Sequence, residues 1–308
     1  MKKLLLATIL SLAALPAAQN VLLLTVDGKW IGGPTKATKA GPYALAQILS
    51  LHNGAPASAT ESAAISTGLA AIAAKDRKAR DLAVENLTYI GLPVLTPLLE
   101  VIRDTDQHEP KPLYNLFNRL VPSIADQPDR AASLIRLANE APRRGSWPDG
   151  SIVVGAESIA WDKIRLFAVE RKSITRKLDV HSLRHSTQIE YLDTGLYLGQ
   201  ESSWNIQARG FTRLSWKQDD WATGPNGLTK PAGNYKTNLV DSHPFGALLG
   251  RISATGETKF IGVSSSVNSP GKGRLHLAIN DNGHWQNNLG SYTVDVTVAK
   301  AFDVGGAL

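Results

Sequence analysis

Between Gly273 and Val298 apolar residues fall at every second position on both sides of an amide-rich loop. Leu275, Leu277 and Ile279 precede the loop; Tyr292, Val294, Val296 and Val298 follow it. A period of two sends successive side chains to opposite faces, so this stretch is predicted as two half-buried β-strands. Asp281 lies just past the first strand, and Asn287 and Asn288 lie just before the second. Their oxygens can therefore converge at one end of a sheet. Hard cations such as Ca²⁺ take several oxygen ligands from carboxylates, amides and backbone carbonyls, which this loop has in number. The same residue types also make ordinary turns, because they tolerate left-handed backbone angles and bond their own amides. Composition alone leaves both readings open.

Other residues sharpen the choice. Asp193-Thr194-Gly195, Trp221 with Gly224-Pro225-Asn226-Gly227, and Phe245-Gly246-Ala247-Leu248-Leu249-Gly250-Arg251-Ile252 precede the closing Asn280-Asp281 and Asn287-Asn288-x-Gly290-Ser291-Tyr292. In this order and spacing, the segment from about Asp193 to Val298 resembles the family of the galactophilic lectin PA-I and its galactose-binding-like relatives. That resemblance implies a C-terminal all-β sandwich of jelly-roll type that binds carbohydrate with Ca²⁺ assistance. Carried over position by position, it implies Asp281, Asn287 and Asn288 as side-chain ligands of the ion, with His284 giving only its backbone carbonyl. A further carbonyl would come from the Ser215-Trp216 stretch. Asp281, Asn282 and Asn287 would meet the sugar, and Trp285 would stack on its ring. The family's sugar-contacting His and Gln have no counterpart between Gly227 and Lys236, so the resemblance does not carry galactose over.

The chain opens with Lys2-Lys3, an apolar run from Leu4 to Leu15, and Pro16-Ala17-Ala18. That is the pattern of a secretory signal over residues 1–18, too short to span a bilayer. Export to the periplasm or beyond, in a Gram-negative-type bacterium, is the expectation. The chain has no Cys, so neither a disulfide framework nor a lipid-anchoring thiol is available. The net charge of +6 prompts a nucleic-acid hypothesis. Export and the lack of a basic stripe with interleaved aromatics argue against it. Lys163, Arg165, Arg171, Lys172, Arg176 and Lys177 alternate with apolar residues and are expected to form a solvated strand face.

The middle of the chain reads differently. Ala79, Leu82, Ala83, Leu87 and Ile90 share one helical face, and Leu95, Leu98, Leu99 and Ile102 another, with Gly91-Leu92-Pro93 between them. This resembles one unit of the HEAT family of helical hairpins. Two more helices are predicted, one through Leu113, Leu116, Phe117 and Leu120, the other through Ala131, Leu134, Ile135 and Ala138. A first helix is expected from Ser62 onward in the Ala- and Ser-rich stretch 57–74. Two hairpins are few for a solenoid, so the helices should lean on something else. Val21 to Ile31 reads as a β-hairpin with an Asp27-Gly28 turn. Tyr43-Ala44-Leu45-Ala46-Gln47-Ile48 and Ser158-Ile159-Ala160-Trp161-Asp162-Lys163-Ile164 look like copies of one motif. Residues 20–55 and 151–180 are therefore expected as β units flanking the helices.

Rival chemistries are weaker. His181 and His185 sit four apart and, on a helix, could join Asp179 or Glu190 at a metal, but solvent-exposed or structural roles fit two His in a short linker better. Asp219-Asp220 cannot face each other across a glycosidic bond. Trp204, Trp216 and Trp221 read as core. No nucleophile elbow, phosphate loop or dinucleotide fingerprint occurs, so a non-enzyme is expected. The organisation that results is multidomain α+β: a signal over 1–18, a β/α region over 19–75, HEAT-like helices over 76–145, a β region over 146–185 packing with 19–55, and the lectin-like sandwich over 186–300. Carbohydrate is the expected partner. A structural scaffold without sugar or metal, offering its helices to another protein, is the alternative.

Overall fold

The computed structural model describes residues 18–73, 76–104, 113, 116–117, 120, 133–187, 190–215, 221–229, 240, 242–268, 270–281 and 288–305. The expected export signal thus falls outside the described residues except for Ala18, and the first strand begins at Gln19. The described chain is mostly β. In order it runs β1 (Gln19–Thr25), β2 (Trp30–Thr35), β3 (Lys39–Ala40), β4 (Tyr43–Ala44) and β5 (Ile48–His52), then α1 (Ala59–Ala73), α2 (Arg77–Ile90) and α3 (Leu95–Asp104). After them come β6 (Ser133–Leu137), β7 (Arg143–Gly145), β8 (Ser151–Val154), β9 (Glu157–Ala160) and the long β10 (Ile164–His181). The C-terminal part holds β11 (Leu192–Arg213), β12 (Ala222–Thr223), β13 (Leu248–Ile252), β14 (Thr258–Phe260), β15 (Ser264–Asn268), β16 (Gly273–Ile279) and β17 (Leu289–Asp303).

The N-terminal β part is built twice. β1 to β5 and β6 to β10 each give a hairpin, a second short hairpin, a 3₁₀ turn and a closing strand. The turns are Leu45–Gln47 and Trp161–Lys163, where the sequence shows two copies of one motif. Equivalent backbone bonds recur: Val26 N–H donates to Lys163 O at 2.9 Å, and Ala138 N–H to Gln47 O at 2.7 Å. The closing strands pair antiparallel with Leu51 opposite Phe167, residues that hold the same place in the two copies. A local two-fold axis therefore passes between them. β1 adds to β10 and β6 adds to β5, giving the order β2-β1-β10-β5-β6-β7. Leu23, Ile48, Leu51, Ile135, Ile164 and Phe167 are fully buried between the two copies.

Ser133–Leu137 is thus a strand, where the apolar spacing suggested a helix. Five residues satisfy either period, and pairing with β5 decides. The other expected helix keeps its apolar side: Leu113, Leu116 and Leu120 are buried in the helical core.

The chain leaves the duplicated unit at equivalent places. After β5 it enters the helices; after its first half, β10 runs on into the C-terminal sheet and pairs with β17 from Glu170 to His181. The helices form one packed layer, and no stack of HEAT-like repeats is shown among the described residues. α1 starts at Ala59, earlier than expected, with a capping box: Glu61 N–H donates to Ser58 Oγ and Ser58 N–H to Glu61 Oε2. α2 is buried on two sides, which corrects its single apolar face. Ala83 and Leu87 meet the other helices, whereas Glu85 and Tyr89 are buried on another side and Leu82 stays exposed. Glu85 accepts from Tyr89 Oη at 3.0 Å and from Ala254 N–H, and Asp81 pairs with Arg251 at 3.0 Å. These bonds tie the helices to the C-terminal strands.

The C-terminal strands enclose a core of Trp204, Ile206, Leu248, Leu275, Leu277, Ile279, Tyr292, Val294, Val296 and Val298. β11 contributes to both sides: Leu192–Leu198 pairs with β16, Ser203–Gln207 with β15, and β17 follows it almost throughout.

Three of the basic residues assigned to a solvated face are clamps instead, Arg165 buried and Arg171 and Arg176 half-buried. Arg165 pairs with Glu61, Arg171 donates to the carbonyls of Ala46 and Ile48 at 2.7 Å, and Arg176 pairs with Asp303 at 2.6 Å. Their partners come from remote parts of the chain, so local alternation could not reveal them.

His52 lies close to this set. Burial, reinforced by Arg136 and Arg274, holds its imidazole down at about 3. A depressed His contributes stability that is complete above its unfolded value near 6.5 and is lost as pH falls toward 3. Glu85, raised by burial, works in the opposite direction above the ordinary carboxyl range. Urea unfolding at pH 7 and pH 5 is expected to show about 2 kcal/mol lost through His52. The loss should be absent in His52→Gln; an equal loss in that variant would assign it elsewhere.

Candidate functional site

Four chain segments meet at the pole of the sandwich where β16 ends and β17 begins. Asp281 lies two residues past the end of β16 and is fully buried; Asn288 directly precedes β17 and is 1% exposed. Asn288 Nδ2 donates to Asp281 Oδ2 at 2.6 Å and to Ser182 O at 3.3 Å. Thr187 Oγ1 accepts from Asp281 N–H at 3.0 Å and donates to Asp281 O at 3.2 Å. Ser182 in turn donates through Oγ to Gly290 O at 2.9 Å. The 182–187 turn thus braces both ends of the amide-rich loop. Ser182 and Thr187 escaped the sequence reading because nothing local ties them to residues a hundred positions away.

Asn280 organises a neighbouring segment. Its Nδ2 lies within 3.0 to 3.3 Å of the carbonyls of Val240, His243 and Pro244, and its backbone pairs with Gly246 and Ala247. Its Oδ1 is buried without a hydrogen-bond partner among the described residues. Gly227 fits beneath this segment because φ is +78° and a Cβ there would lie 2.8 Å from Ala247 N. Leu248 N–H donates to Pro225 O, and Leu228 N–H to Phe245 O, both at 2.8 Å. The two loop motifs quoted for the resemblance therefore pack against each other. Tyr292 Oη fastens them with a bond to Gly246 O at 2.7 Å, and burial raises its phenol well above the ordinary range.

Of the expected site residues, the structure brings together Asp281 and Asn288. Asn282, His284, Trp285 and Asn287 lie outside the described residues, as does Trp216. Ser215 is described and buried. Trp204 is core, and Trp221 packs edge-on against Phe245 with centroids 5.7 Å apart.

The His181–His185 spacing forms a single turn rather than a helix. His185 Nδ1 accepts from His181 N–H at 3.1 Å, which uses that nitrogen structurally, and Asp179 accepts from Thr293 Oγ1 at 2.9 Å. No group of three His, Asp or Glu suited to a metal occurs among the described residues.

The pole brings together donor types that a hard cation takes: one carboxylate and an amide that can present oxygen on rotation. The amide nitrogen faces Asp281 in this arrangement. An ion between the two side chains would favour the rotated amide, with Oδ1 turned inward.

No family model matches the chain, and no curated protein matches it. Among solved structures, it is similar to the N-terminal domain of EclA, described as a PllA-like lectin. The identity is 22%, the match covers 41% of this chain and 96% of that one, and the TM-score is 0.32. Among the described residues no helix is long and apolar enough to cross a membrane.

Proposed function

We propose that this pole recognises carbohydrate, with Ca²⁺ held by Asp281 and Asn288, and that the chain meets its ligand after export. The observation that carries the reading is the buried carboxylate–amide pair at 2.6 Å, delivered by the ends of two strands that flank one loop. Asn287 and the His284 carbonyl would complete the oxygen set. The ion supplies a hard Lewis acid that hydroxyl pairs of a sugar can ligate. The chain's own carboxylate and amides would orient those hydroxyls by hydrogen bonds. The proposed role is binding, without bond cleavage.

Isothermal titration of Ca²⁺ into the full-length mature protein tests the reading. Heat is expected for wild type and none for Asp281→Asn, which keeps the side-chain shape but removes the charge. A second reading follows from the burial of both side chains, which suits a purely structural clasp. In that case titration gives no heat, and Asp281→Asn lowers the melting temperature equally with Ca²⁺ and with chelator.

A further inference from the structure

Three large apolar side chains stand exposed around the same pole. Phe211 is 65% exposed, Leu289 49% and Leu183 44%. Phe211 lies opposite Ser291 and Leu289 opposite Arg213 on adjacent strands, so Phe211 and Leu289 are diagonal neighbours on one face. Leu289 directly follows the buried Asn288, and Leu183 follows Ser182, which bonds to Gly290 O. Single exposed apolar residues need no explanation, but a cluster beside a buried polar pair does.

The backbone sets the side on which Phe211 leaves its strand. Gly210 and Gly290 have φ of +107° and +85°; a Cβ on the first would lie 2.7 Å from Ser291 O, and on the second 2.5 Å from Phe211 O. These glycines allow the two strands to close on each other, and Phe211 is turned outward from that pinch.

The adjoining outward face carries charges of both signs and no net excess of either. Arg209 and Asp295 neutralise each other at 2.5 Å. Lys177 lies opposite Asp295 and Asp179 opposite Thr293 on the same face, so its two cations and two anions offset one another; among them Thr175, Thr297, Asn205, Gln207 and Ser266 present hydroxyls and amides, with Thr175 and Thr297 bonded at 3.1 Å. An aromatic platform beside hydrogen-bonding groups of balanced charge fits a ligand with an apolar C–H face and a rim of hydroxyls.

We propose that Phe211 and Leu289 form a stacking platform for a pyranose ring of a neutral oligosaccharide, whose chain continues over the outward face of β10, β17 and β11. This rests on the carbohydrate reading of the pole and adds the residues that set ligand class.

Labelled full-length protein on a printed array of neutral and acidic oligosaccharides gives the test. Wild type should favour neutral chains; Phe211→Ala should lower the signal at least tenfold, Phe211→Trp should retain it, and circular dichroism should match for all three. If wild type and Phe211→Ala bind alike while Asp281→Asn does not bind, the platform is wrong and the pole reading stands. Loss of self-association in Phe211→Ala, with glycan binding intact, also overturns the platform. A wild type that binds nothing on the array overturns both.

Discussion

Replacing Arg165 with Met should lower the unfolding free energy by about 3–5 kcal/mol, the range for removing one partner of a buried, hydrogen-bonded ion pair. The guanidinium is 3% exposed and donates to both oxygens of Glu61 at 2.7 Å, to Asn53 O at 3.0 Å and to Ala55 O at 2.9 Å. Without it, a carboxylate and carbonyls stay buried with fewer donors. Glu61 also closes the first turn of α1, so the variant should lose helical signal before the β core melts. Arg165→Lys should rescue little, because an ammonium cannot form the planar two-pronged contact. The double variant Glu61→Gln/Arg165→Met should be less destabilised than Arg165→Met alone, because no unpaired charge remains. Urea titrations followed by circular dichroism give all of these values; a loss below about 1 kcal/mol, as for a surface pair, would show the cluster to be solvated.

A comparable loss is expected for Asp303→Asn. Burial by itself would raise this carboxyl, yet Arg136 and Arg176 outweigh it and hold the group below its ordinary value. Arg136 Nη1 lies at 2.7 Å and Arg176 Nη2 at 2.6 Å, both on Asp303 Oδ1. Gly305 N–H donates to the same oxygen at 3.2 Å, and Gly305 O accepts from Arg274. Arg136 belongs to β6, Arg176 to β10 and Arg274 to β16, so the carboxylate joins the duplicated β unit to the sandwich. Neutralising it leaves a buried and a half-buried cation facing each other, at an expected cost of about 3–5 kcal/mol. The sign with pH follows from the depressed value: the contribution is full above the unfolded carboxyl range and is lost as pH falls through the folded one. Wild type and Asp303→Asn should therefore converge in stability as pH drops below about 4. Parallel curves would show that the contribution is not ionic.

Local patterns of the sequence foretold the local structure. The Asp27-Gly28 turn, the period-two run of β17 and the recurrence of Tyr43 to Ile48 in Ser158 to Ile164 each depend on neighbours along the chain. The approach of Asp281 to Asn288 was readable too, since the two lie seven positions apart at the ends of one loop that joins two strands, both of which pair with β11. Distant pairings were not readable. Ser133 to Leu137 fits either period until β5 lies beside it. Arg165, Arg171 and Arg176 look like surface residues until their partners arrive from other elements. Glu85 and Tyr89 were missed because α2 is buried on more than its apolar face. Asn280 stands out in sequence only by its place in a motif, because its role as a staple depends on the carbonyls of Val240, His243 and Pro244, about forty positions upstream.

The threading of β10 carries a consequence for biogenesis. Its first half completes a sheet begun by β1, and its second half waits for β17. A ribosome that has released the polypeptide only as far as the helices has exposed one copy of the duplicated unit without the other. Such pairings across long sequence separations are slow to form, and the unpaired edges they leave are prone to association. Assembly of this molecule is thus expected to be post-translational, completed only after its last strand has emerged.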